Sequence, residues 1–292
     1  MKKKLRLIIK ELVYVKIADL GEERAKKLAR AYTYKLPNMC METRMTDPYI
    51  HVKLWKIENG YMCVPSGDSK YFIKTLGLKK DDMEVIDKRS KNKMSEPFSF
   101  KGKLFSGGIV NGVTVADQKK IISDAFKSSN KNGLIISPPR TGKTVIGAYI
   151  AHKIGYKTII ITKQEELLNQ FYKTFIDLTG IKKEKIKVVK NLSEIKKLDL
   201  DVALVTYQKF IREKGQEQLE DLKDYFGLMI VDEVHDANAE AYSKVIGKFN
   251  ARYRIGLTAT DKRKDKKEVI VNRVIGPVLA RGEIVSLKPT IE

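Results

Sequence analysis

The sequence predicts an α/β protein: a parallel sheet covered by helices on both faces, preceded by a small α+β unit. Three observations lead there. From Thr114 onward, short and continuously apolar runs alternate with helical patterns, as expected for strands buried on both faces. One of these runs opens into a Gly-Lys-Thr loop at the start of a helix, and another ends in two adjacent carboxylates. The opening part of the chain instead mixes short apolar segments with aromatics and many lysines. A length of 292 residues suits about two domains with a substantial core.

In the first part, Val52–Ile57 and Tyr61–Pro65 flank Asn59-Gly60 and predict a β-hairpin. Helical patterns cover Glu22–Tyr32 and Ser69–Leu76. From Asp87 to Lys103 the chain is basic, polar and without period, which reads as a linker or an exposed arm. The expected division is therefore 1–105, with the basic linker from about 87, then 106–285, with 286–292 beginning a further connection.

In the second part a helix carries Gln118, Ile121, Ile122, Ala125 and Phe126 on one face. Gly133–Ser137 is an apolar strand, Lys143–Ile154 a helix and Thr158–Ile161 a strand. Thr162 with Glu165 has the spacing of a capping box, opening a helix with Leu167, Leu168, Phe171 and Phe175 at helical spacing. Val202–Tyr207, Gly227–Val231 and Arg254–Leu257 complete the expected strands.

The strand at Gly133 runs into Ser137-Pro138-Pro139-Arg140-Thr141-Gly142-Lys143-Thr144, a phosphate-binding loop in strand–loop–helix context, with Ser137 where glycine is usual. Gly142 lets the backbone approach the phosphates, and the helix start supplies N–H donors and a positive dipole end. Lys143 suits the β- and γ-phosphates of ATP, and Thr144 suits Mg²⁺. The strand Leu228–Val231 delivers Asp232-Glu233 at its end. This pattern assigns Asp232 to Mg²⁺ and Glu233 to deprotonation of the attacking water.

Asp232-Glu233-Val234-His235 resembles the D-E-x-H box of superfamily 2 helicases, and Gly256-Leu257-Thr258-Ala259-Thr260 resembles their motif III. Thr162 with Leu167 and Gln170 is similar to motif Ia, and Val205-Thr206-Tyr207-Gln208 to a segment that touches nucleic-acid phosphates. The order is the family's, over roughly 112–285. The tract Ile275-Gly276-Pro277-Val278, with Tyr34–Asn38 and Ile57–Gly67, resembles phage branch-migration and XPB-like enzymes, which implies that 1–105 is an accessory DNA-recognition domain. The resemblance implies a RecA-like lobe using ATP and Mg²⁺ to move on or remodel DNA, including forked DNA or Holliday junctions. It also implies that Gln118 reads adenine beside a loop formed by Pro139, Arg140 and Thr141, and that His235, Thr258 and Thr260 couple the two sites. Thr162, Lys163 and Thr206 are implied contacts to nucleic-acid phosphates. An RNA helicase, or a binding module switched by nucleotide, is the alternative expectation.

The net charge of +21 favours polyanions, although a Lys-rich coding bias also produces such an excess. No run approaches the roughly 18 apolar residues of a membrane span, so a cytoplasmic protein is expected, in the host cytoplasm if phage-encoded. Cys40 and Cys63 are the two cysteines and have no metal-site spacing. Trp55, Tyr61, Tyr71 and Phe72 suit either core packing or base stacking. Too few residues follow Thr260 for a second lobe of on the order of 150 residues. The family's second lobe is thus expected elsewhere, and with it the arginines that speed hydrolysis.

Overall fold

The structure, a computed structural model, describes residues 4–37, 49–110, 113–128, 131–233, 245–260 and 266–282. His235, the Lys-rich run from Asp261, Cys40 and the stretch 286–292 lie outside the described residues. No helix among the described residues is long and apolar enough to cross a membrane.

Strands β1 (Leu5–Ile9), β2 (Leu12–Lys16), β5 (Lys56–Glu58), β6 (Tyr61–Pro65) and β7 (Met83–Asp87) form a mixed sheet in the order β5-β6-β2-β1-β7. Alternation in β1 sends Leu5, Leu7 and Ile9 inward. Leu5 and Leu7 share a core with Leu28 of α2 (Glu22–Ala31), Phe72 of α3 (Ser69–Leu76) and Leu20 of the short α1 (Ile17–Leu20). Asn59 (φ 50°) and Gly60 (φ 78°) both take the left-handed conformation that a tight hairpin requires, as the Asn-Gly pair predicts. The hairpin's first strand is shorter than expected. The chain turns at Leu54-Trp55, so β4 (Tyr49–Lys53) pairs with β3 (Thr33–Pro37) instead. The Leu54 N–H donating to Tyr32 O and the Trp55 indole N–H donating to Thr33 Oγ1 hold that turn.

Residues 88–105 correct the reading of an exposed arm. They run against the second unit, with Met94 and Phe98 buried in its core. The fully buried Asp201 carboxylate accepts the backbone N–H groups of Ser95 (2.7 Å) and Glu96 (3.0 Å). The Phe98 carbonyl accepts from His152 Nδ1 at 2.7 Å. Met94, Phe98, Phe100 and Leu104 are scattered through a polar stretch without a regular period, so their packing on that core was not legible. A β8–β9 hairpin (Ser106–Val110, Val113–Asp117) follows.

The second unit is a seven-stranded parallel sheet, matching the expected fold class. Its order is β12 (Ile186–Val188), β13 (Val202–Thr206), β11 (Thr158–Thr162), β14 (Leu228–Asp232), β15 (Tyr253–Thr258), β10 (Gly133–Ile136) and β16 (Val278–Arg281). Successive strand residues face opposite layers. Ile135, Ile160 and Leu204 pack against α4 (Gln118–Lys127), α5 (Lys143–Ile154) and α6 (Glu165–Leu178). Leu134, Ile161 and Ala203 pack under α8 (Gln208–Ile211), α9 (Glu213–Leu222) and α10 (Glu268–Val274), with a short α7 (Glu194–Lys197) nearby. The edge strands β12 and β16 escaped the sequence reading because they are short and half-exposed. Gln164, not Thr162, occupies the N-cap of α6; the Thr162 hydroxyl donates to the Gln164 carbonyl at 2.8 Å.

Two arginines join the units. Arg254, 1% exposed, donates to the carbonyls of Phe249 (2.7 Å), Val274 (2.9 Å) and Glu11 (3.1 Å). Arg273 pairs with Asp68 at 2.5 Å, donates to the Tyr34 hydroxyl, and lies 3.3 Å over the Tyr71 ring. Tyr71 and the 1%-exposed Phe72 are therefore packing residues.

Phe98→Ala tests the packed strap. Emptying this site should cost about 3–5 kcal/mol in urea unfolding, whereas an exposed arm predicts a change near zero.

Candidate active site

In a parallel sheet all strand C-termini share one edge, where loops are free to gather functional groups. Here that edge carries Ser137, Thr162, Thr206, the Asp232-Glu233 pair and Thr258. Buried β10 ends at Ser137, whose N–H donates to Thr258 O at 2.8 Å. The Ser137 and Thr141 hydroxyls meet at 2.5 Å, and Thr141 Oγ1 also donates to Pro138 O. These bonds close the phosphate loop on itself and give Ser137 a reason to stand where glycine is usual. Pro139 and Arg140 are exposed, and Arg140 takes a positive φ of 65°, a strained position for a side-chain-bearing residue.

Gly142 has φ 77° and serves as N-cap of α5. A Cβ on it would lie 2.5 Å from Gln118 Nε2. That amide donates to Thr141 O at 3.0 Å, while its Oε1 accepts the Phe105 N–H at 3.2 Å. Gln118 is thus turned inward, holding the loop. The first turn of α5, with Lys143 and Thr144, leaves its N–H groups without helical partners, a ready anion site.

Across the loop, β14 ends in Asp232, and Glu233 bends the chain at φ 48°. Lys143 Nζ reaches Glu233 Oε1 at 2.5 Å, with both side chains largely sheltered. The sequence motifs named both residues but not their contact. Asp232 is 3% exposed and its Oδ1 has no hydrogen-bond partner among the described residues. Burial first, then the Glu233 charge, pushes its carboxyl up to about 6. A buried carboxylate oxygen without a donor, near the Thr144 hydroxyl's helix, fits Mg²⁺, a hard ion that takes oxygen ligands. No three His, Cys, Asp or Glu side chains converge among the described residues. Mg²⁺ would therefore share this carboxylate with phosphate oxygens, as it commonly does.

The Thr258 hydroxyl donates to Thr260 O at 2.8 Å, folding motif III into a turn beside the loop. Thr162 and Thr206 are register partners on β11 and β13. Thr162 is buried and its hydroxyl is used internally, whereas Lys163 is exposed and Thr206 half-exposed. Gln208 Nε2 donates to Lys163 O at 2.9 Å, joining the two segments.

Residues 114–263 match the family described as type III restriction enzyme, res subunit. A TFIIH basal transcription factor complex helicase/translocase XPB subunit from Trypanosoma brucei brucei is 29% identical over 173 residues, covering 53% of this chain and 18% of the relative. The DNA 3'-5' helicase XPB of Mycobacterium tuberculosis is 30% identical over 170 residues, covering 57% and 30%. The chain spans less than a third of the length of either relative. The crystal structure of the UvsW helicase from bacteriophage T4 shares the fold, with a TM-score of 0.64 at 18% identity over 94% of this chain and 99% of that one.

The raised Asp232 carboxyl generates a test. Between pH 3.8 and about 6 the folded protein holds a proton that the unfolded chain has released, so stability falls as pH rises through that window. Asp232→Asn should stabilise the nucleotide-free protein near pH 8, by on the order of 2 kcal/mol. Below about pH 4 it should make little difference. Thermal unfolding at both pH values checks this; equal effects at the two would refute it.

Proposed function

Since this chain belongs to the type III restriction enzyme res-subunit family, within the superfamily 2 helicases, we propose that it hydrolyses ATP to drive movement along, or remodelling of, DNA. The observation that carries the proposal is the meeting of Lys143 and Glu233 at 2.5 Å across the mouth of the phosphate loop. Lys143 opens α5 and Glu233 follows the end of β14, so the pair stands where a γ-phosphate would lie.

The free N–H groups at the start of α5 grip the β- and γ-phosphates. Lys143 then exchanges its carboxylate partner for phosphate oxygens. Released from Lys143, Glu233 Oε1 accepts the proton of the water that attacks the γ-phosphorus, and ADP departs with the bridging oxygen. Asp232 and the Thr144 hydroxyl would hold Mg²⁺, which when bound offsets the charge on the transferring phosphoryl group. The Ser137–Thr258 bond connects the loop to the motif III turn, and hence to the edge bearing Lys163 and Thr206. Those residues suit phosphate contacts, which give sequence-tolerant and salt-sensitive binding. Forked or four-way DNA as the preferred substrate is the finer part of the proposal, supported by the likeness to branch-migration enzymes.

ATPase activity measured with single-stranded, duplex, forked and four-way DNA, and with RNA, tests it. Stimulation by RNA alone would overturn the DNA assignment. Two variants should then separate. Lys143→Ala should lose nucleotide binding. Glu233→Gln should keep binding a fluorescent ATP analogue while turnover falls about 10²–10⁴-fold. Equal loss of binding and turnover in Glu233→Gln would make that residue structural.

A further inference from the structure

A cleft of about 1050 Å³ separates the N-terminal unit from the α8–α9 side of the lobe. None of the phosphate-loop residues, and neither Asp232 nor Glu233, lines it. On the lobe it is lined by Phe210 and Ile211 of α8, Leu219 and Glu220 of α9, and Asn250 and Arg254 at the start of β15.

Its charge is asymmetric. Glu58 pairs with Lys56, and Glu220 with Lys223 and Lys248. The Glu11 carboxylate accepts from the Tyr14 hydroxyl, and Asp224 accepts from Asn250. Lys10, Lys53 and Lys88 also line the cleft; all three are exposed and none has a carboxylate partner among the described residues. Seven cationic side chains line the cleft against four carboxylates, so its net charge is positive.

Trp55 supplies the second feature. The ring lines the cleft, half-buried, and its N–H is fixed by Thr33 Oγ1 at 2.9 Å. Its orientation is therefore set before any partner arrives. Lys53 Nζ lies 5.9 Å from the centroid of that ring; a held aromatic among lysines without carboxylate partners is the combination on which single-stranded nucleic acid stacks and neutralises its phosphates. Bases inside a duplex are stacked on one another and cannot offer a face to Trp55.

We propose that this cleft binds one strand of nucleic acid, with phosphates against Lys10, Lys53 and Lys88 and a base stacked on Trp55. The inference rests on the reading of the lobe as a nucleic-acid motor, and its test separates the two. Fluorescence anisotropy of the full chain with labelled oligo-dT is measured across a salt series, with ATP-analogue binding and thermal unfolding as controls. The Lys10→Ala, Lys53→Ala, Lys88→Ala triple variant should reduce the slope of log affinity against log salt by about 2, at roughly 0.7 per lost phosphate contact. Trp55→Leu should weaken binding about tenfold, and Trp55→Phe should restore it, because stacking needs a π-face. An oligonucleotide bearing 5-iododeoxyuridine should photocrosslink to Trp55. If the parent binds oligo-dT but the triple variant keeps the parental slope and crosslinks fall only near Lys163 and Thr206, the cleft proposal is overturned and the motor reading stands. If the parent binds neither DNA nor RNA, both are overturned. Should Trp55→Leu fail to fold, the slope and the crosslink decide alone.

Discussion

The whole nucleotide edge depends on one close approach, the Gln118 amide against Gly142. A phosphate loop must keep its N–H groups turned outward, which leaves little to hold it from within. Here the side-chain amide lies where a Cβ at 142 would be, and bonds the adjacent Thr141 carbonyl. The same amide takes the Phe105 N–H, so the loop, α4 and the end of the strap are fixed at one point. Only glycine permits this at φ 77°. With the loop so placed, α5 starts in the direction that carries Lys143 to Glu233.

What the sequence made legible follows from how each element is buried. Strands β10, β11, β13 and β14 lie between two helical layers, so they read as unbroken apolar runs. Half-exposed β12 and β16 carry Lys187 and Arg281 and produce no such run. The motif residues were legible one by one, because each needs a particular side chain. Their mutual contacts were not. Nothing local shows that Lys143 closes on Glu233, or that Asp201 holds Ser95 from 106 positions away. Thr162 was misread for a related reason: a capping box needs its hydroxyl oxygen to accept the Glu165 N–H, whereas the hydroxyl here donates to the Gln164 carbonyl. In so basic a chain, Arg254 and Arg273 look like two more surface cations.

Arg254 is the clearest departure from that expectation. Burial lowers its guanidinium to about 10, and no carboxylate pairs with it among the described residues. A buried charge without a counter-charge is offset by hydrogen bonds to its donors. Three carbonyls, from the loop before β15, the end of α10 and the β1–β2 turn, accept from its two Nη groups, while Nε has no acceptor among the described residues. Each lies at the end of an element, so one side chain ties three termini together, and the Glu11 carbonyl also accepts from the Ser66 hydroxyl at 2.8 Å. Lysine, with a single nitrogen, lacks the fork to do so.

The position of Arg254 on β15 carries a further consequence. The strand runs from Arg254, bonded to Glu11 O in the N-terminal unit, to Thr258, bonded to Ser137 N at the phosphate loop. Four residues of extended chain, on the order of 13 Å, separate the two contacts. The strand is clamped between β14 and β10 and packed on both faces, so it cannot stretch or buckle to absorb a displacement. Sliding it along its own axis would break either the Arg254–Glu11 bond or the Ser137–Thr258 bond. Arg273 adds a second tie from α10, the helix that follows motif III, to Asp68 and Tyr34. The N-terminal unit is thus built onto the strand that frames the nucleotide edge, and the cleft between the units keeps its shape for the same reason.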